Sequence, residues 1–203
     1  EYKEVISNSE HINIYIDDAI SENPDNFNII SLICDIFHDE LLAKLELGKS
    51  VESNLNILND YIQFLIVAAA KDKHKLNAAL IIGQIADTLS SKQMYYNACS
   101  YYSSSLEIIS HVKNIDNSSK REFAVFLGHY NIAMMNCEPK DWNTIKENIN
   151  KEVSLYEEVD KIYGDVRSKI DLAIAYSHQA IFLEKDKKIK EVYVCHLKKI
   201  QLI

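Results

Sequence analysis

Along most of this chain apolar residues fall three and four positions apart and almost nowhere alternate. Leu55, Leu58, Ile62, Leu65 and Ala69 step by 3, 4, 3 and 4, the spacing that keeps one face of an α-helix apolar. The pattern predicts about nine helices. The first runs from Tyr2 to Ser21, with Val5, Ile12, Ile16, Ala19 and Ile20 on one face, and stops at "SENPDN", where Pro24 disfavours helix. A second spans Phe27 to Leu47 and ends near Gly48, a suitable left-handed cap. Ser50 is read as the cap of a third, "VESNLNILNDYIQFLIVAAA". After a charged "KDKHK" turn come Leu76 to Ser90, Gln93 to Val112, Lys120 to Cys137, Trp142 to Tyr163, Val166 to Glu184, and an extra tail helix from Lys188 to Leu202. Short connections force successive helices to pack as antiparallel neighbours. No composition shift marks a boundary, so residues 1–203 read as one all-α domain.

Polarity along the stretch from Ala78 to Pro139 sharpens this picture. The outer two of its three helices are apolar almost all round, which places them in the interior and makes each lone polar residue conspicuous. Those residues are Gln84, Asp87 and Thr88 on the first and His129 and Asn131 on the third. Asn77, Gln84, Thr88 and Ser91 recur at steps of 7, 4 and 3, either lining a ligand-facing surface or simply meeting solvent. His129 and Asn131 are either satisfied core polar groups or ligand contacts. A slower rhythm is superimposed: Ala98, Ile145 and Val192 lie 47 residues apart in similar helices. That resembles the second helix of a tetratricopeptide hairpin, though the period exceeds that family's roughly 34 residues.

Charge and composition remove several classes. The net charge of −8 speaks against a nucleic-acid binder, whose affinity rests on a basic footprint. No apolar run reaches the roughly 18 residues of a membrane span, no signal-peptide pattern opens the sequence, and a cytoplasmic protein is expected. Cys34, Cys99, Cys137 and Cys195 lack a Cys-x-x-Cys pair and read as reduced thiols. His38, Asp39 and Glu40 occupy successive helical positions about 100° apart and so cannot converge on one metal. Without a glycine-rich phosphate loop, a His-Glu-x-x-His pair or a nucleophile elbow, the expectation is a non-enzyme without cofactor or metal.

The order of elements resembles the 14-3-3 phosphopeptide-binding adaptors over about Phe27 to Phe182. "ACSYYSSSLEI" is similar to the family's "AYQEAFEI", and "FAVFLGHYNIAMMNCEP" to its "LGLALNFSVFYYEILNSP", with Gly83 and Pro139 on the family glycine and proline. "SLICDIFHDELLAKLE" resembles the family's third helix and "SKIDLAIAYSHQAIF" its last. The resemblance implies a cup of antiparallel helices that holds an extended, possibly phosphorylated, segment of a partner protein, as a signalling adaptor rather than a catalyst. It places Asp87 and Thr88 on the family's Arg-Tyr pair and leaves Lys44 as the basic residue of the third-helix site, among Asp35, Asp39 and Glu40. The peptide-clamping asparagines fall near Phe126 or Leu127 and near His178, with His129 or Asn131 as substitutes. Groove candidates are therefore Lys44, Gln84, Asp87, Thr88, His129, Asn131 and His178. Because one helix precedes Pro24 where the family has two, the expected homodimer is atypical and uses Ile12, Ile16 and Ile20.

Overall fold

The computed structural model describes residues 2–113, 115–138 and 140–202, and of Asp17 the backbone alone; Pro139 lies outside the described residues. Among these, every regular element is an α-helix: α1 (Tyr2–Glu22), α2 (Phe27–Glu46), α3 (Glu52–Ala68), α4 (Asp72–Ser91), α5 (Tyr95–Ser110), α6 (Asn117–Asn136), α7 (Trp142–Tyr163), α8 (Val166–Lys185) and α9 (Ile189–Leu202). The all-α reading holds.

Helix ends follow local chemistry, with three differences from the sequence reading. Asn26, Asp116, Asp141 and Asp165 cap α2, α6, α7 and α8 by accepting from backbone N–H groups of the first turn. Ser50 does not cap α3: the capping position is Val51, which offers no side-chain bond. The "KDKHK" segment is not a turn but the opening of α4, because Asp72 places a carboxylate at the positive end of the helix dipole. Likewise α6 opens three residues before Lys120, at Asn117, because Asp116 is its cap. Gly48 does adopt the left-handed conformation, with φ of +64°, and the bonds from its N–H to Leu45 and from Lys49 N–H to Lys44 close α2 in a Schellman motif.

Successive helices pack on one another, and α2, α4, α6 and α8 also touch their next-but-one neighbours. The helices α3, α5, α7 and α9 do not pack closely on each other. Two layers result, and the layer whose members approach more closely is the inside of any curve the array makes. The largest core cluster joins α1 to α6 through residues such as Ile30, Leu41, Leu58, Ile82 and Tyr102, and smaller clusters knit α6 to α9. Gly83 lets α4 and α6 meet: a Cβ there would stand 2.4 Å from the Phe126 ring. Trp142 packs on Phe182 with centroids 5.9 Å apart.

The dimer edge expected from sequence is largely used within the chain. Ile16 is buried in the main core and Ile20 packs against it, because α1 has α2 as its close neighbour and needs its apolar stripe there. Of the three named residues only Ile12 is exposed.

Candidate functional site

The site is built on the exposed face of α4 within the inner row. Asn77, Gln84 and Ser91 are exposed along this face, residues 7 apart falling on one side of a helix of 3.6 residues per turn. Thr88 and Asp87 flank the stripe and turn to opposite neighbours. Thr88 Oγ1 shares a hydrogen bond of 2.8 Å with His38 Nε2 of α2. Asp87 Oδ1 accepts from Tyr102 Oη of α5 at 2.5 Å and from His129 Nδ1 of α6 at 2.7 Å. Four helices thus converge on two adjacent residues. A shallow recess of about 390 Å³ opens beside them, bounded by Asp87, Ser91, Tyr95, His129 and Ile132.

Electrostatics give these groups different protonation behaviour. The hydrogen bond to Asp87, above all, raises the His129 pKa against the opposing effect of burial. His38 goes the other way, because burial disfavours its charged form more than Asp39 and Asp87 favour it. Burial first, and then the Asp87 bond, holds the Tyr102 phenol well above its ordinary range. The nearby acids of α2 add negative field, and burial together with Asp39 raises Asp35.

The remaining candidates lie elsewhere. Lys44 forms an i,i+4 ion pair of 2.5 Å with buried Glu40, about 120° round α2 from His38 on a helix of 3.6 residues per turn. It is therefore no part of a phosphate site beside Asp87. Asn131 is fully buried and donates from Nδ2 to Glu152 Oε2 at 3.1 Å, while His178 Nδ1 donates to Glu152 Oε1 at 2.7 Å. These two residues belong to a largely buried cluster between α6, α7 and α8, so Asn131 cannot reach a ligand and His178, only 15% exposed, is committed to an internal carboxylate. Arg121 of α6 is paired with Asp171 of α8, its Nε donating at 2.7 Å. The cation held by Asp87 when protonated is His129, and no Lys or Arg among the described residues is paired with Asp87.

Three partners in these networks are not singled out by the sequence pattern. In the sequence His38 suggests only a metal ligand, and Tyr102 is one of two tyrosines in "ACSYYSSSLEI". Glu152 did leave a signal: Ile145, Ile149, Glu152, Tyr156 and Val159 step by 4, 3, 4 and 3, so a carboxylate stands in an apolar stripe and demands donors.

Chemically, the open cluster presents pre-positioned donors and acceptors at moderate charge. Ser91, the nearest hydroxyl on the exposed stripe, is engaged with the Thr88 carbonyl at 2.7 Å. No family model, curated protein or solved structure matches this chain.

Proposed function

We propose that the protein is a non-catalytic protein-interaction module that holds an extended segment of a partner across the exposed face of its inner helix row. One observation carries the reading. Asp87, Thr88, His38, His129 and Tyr102, drawn from four helices, are fixed by mutual hydrogen bonds beside the exposed Gln84 and Ser91. Groups already held in place lose little side-chain entropy on binding, which favours recognition. An arrayed set of helical hairpins suits an adaptor, and both the 14-3-3 and the tetratricopeptide resemblances point to that class. The charge around Asp87, Asp35 and Asp39 favours a neutral or basic segment over a phosphorylated one, since a phosphate needs charge-assisted donors.

A peptide library carrying matched phosphorylated and unphosphorylated members tests this. Unphosphorylated ligands should be retained, and Gln84→Ala with His129→Ala should weaken them about tenfold, the loss expected for about 1.4 kcal/mol. A ligand that binds only when phosphorylated, or binding indifferent to both substitutions, would overturn the reading.

A further inference from the structure

The three helices α5, α7 and α9 carry Ala98, Ile145 and Val192 at equivalent buried positions, 47 residues apart. Around these positions α5 and α7 each seat the helix that follows, and one offset, eight residues on, does so in both. One position after Ala98, Cys99 lies against Cys137 at the end of α6, with sulfurs 3.8 Å apart. Three before Ile145, Trp142 packs on Phe182 of α8, and five after it Asn150 lies 3.5 Å from Gln179 of α8. Eight after the reference position, Leu106 and Val153 are packed into core clusters with α6 and α8.

On α9 the corresponding residues are apolar and bare. Ile189, Tyr193 and Ile200 are 77%, 64% and 67% exposed, and Leu197 is exposed too. On a different side of α9, where it meets α8, Val166, Ile170 and Ile174 of α8 are exposed and form, with Ala173 and Leu202, a groove of about 440 Å³ rimmed by Lys169 and Lys199. Among the described residues no helix occupies this groove or covers the α9 stripe.

Charge selects the occupant. Residues 166–202 hold eight Lys and Arg against four Asp and Glu, whereas α1 holds five acidic residues against one Lys, in a chain whose net charge is −8. Two α9 faces brought together would repel, as would two α1 faces. The opposite poles attract. α1 also has the required shape: Ile6, Ser9 and Ile16 are buried, while Ile12, Ile14 and Tyr15 stand exposed among Glu4, Glu10, Asp18 and Glu22. We propose that the α8–α9 seat receives α1 of a second copy of this chain, giving head-to-tail association. Such a contact is heterologous and need not close, so copies add in series. The docking uses the ends of the array and leaves the face around Asp87 free, independently of what that face binds.

Sedimentation velocity on the full chain tests this. The weight-average sedimentation coefficient should rise over an about hundredfold increase in concentration and fall on adding salt. Two surface variants then separate the possibilities. Ile170→Glu with Ile200→Glu blocks the seat, and Ile12→Lys with Tyr15→Lys blocks the insert. Each alone should stay monomeric, and an equimolar mixture should give a discrete dimer, because each variant retains one intact end. Association surviving in the α1 variant would mean that α9 faces pair with each other, and would overturn the proposal. So would a monomer at every concentration, or co-sedimentation with phosphatidylserine vesicles in place of self-association.

Discussion

Two carboxylates in this molecule do formally the same thing and live in opposite surroundings. Asp87 and Glu152 each accept from a histidine and from one other donor, at a junction of three helices. The Asp87 side chain is 36% exposed, and that of Glu152 is 1% exposed. Water can replace the half-exposed His129 at Asp87, so that part of its network can be exchanged for a ligand at modest cost, while the buried Tyr102 stays bound to it. Glu152 has no such substitute, and its partners are structural.

The largest break in the comparison is expected from removing each acid. Glu152→Ala leaves Asn131 and His178 without their acceptor in a largely buried space and should destabilise by about 3–5 kcal/mol, read as a drop in urea midpoint at unchanged slope. Asp87→Ala should cost less, about 1–2 kcal/mol, most of it from the buried Tyr102 phenol left without its acceptor. Equal losses would mean that the two clusters do not differ in kind.

A smaller and more local test presses on the buried cluster from outside. Gly128 touches it so closely that a Cβ would lie 2.6 Å from Glu152 Oε1 and 3.3 Å from the His178 ring. The carboxylate is the end of a flexible side chain, but Asn131 and His178 hold it and leave it no room to retreat. Gly128→Ala should therefore destabilise by about 1–3 kcal/mol, measured in the same unfolding experiment. A neutral outcome would show that the buried cluster yields as readily as the open one.

The third test concerns protons and involves little stability. Imidazole titration by NMR should place His129 above the ordinary value of 6.5 and His38 below it. For His129, a raised native pKa means that its bond to Asp87 contributes fully below the unfolded value and is lost as pH rises through the native one. For His38 the lowered native pKa removes stability as pH falls below the unfolded value. Asp87→Asn should bring His129 back toward its ordinary value; no movement would detach it from Asp87.

Helix number and type were legible because periodicity is a property of one segment at a time. The starts of α4 and α6 lie earlier than the sequence pattern suggests because lysines and serines look like loop residues until Asp72 and Asp116 are given their place at the positive helix ends. Asp87, Thr88 and His129 stood out as polar residues on apolar helices, and the structure gathers them. What a single sequence could not supply is the register between helices. Nothing in residues 87 and 129 states that they meet across 42 positions, or that Asn131, two residues on, turns away to Glu152. The same gap placed Ile16 and Ile20 on an outer edge although they face α2.

The layered packing also bears on how the chain reaches this state. Among the described helices, close packing joins only those one or two places apart in the chain. Each contact therefore closes a short loop, and loop closure is the entropic obstacle that slows folds built on distant pairings. Structure can begin at any hairpin and spread to its neighbours, as in other quasi-one-dimensional arrays. Force applied between the ends would peel the molecule hairpin by hairpin, beginning with the outermost helices and reaching the Asp87 cluster late.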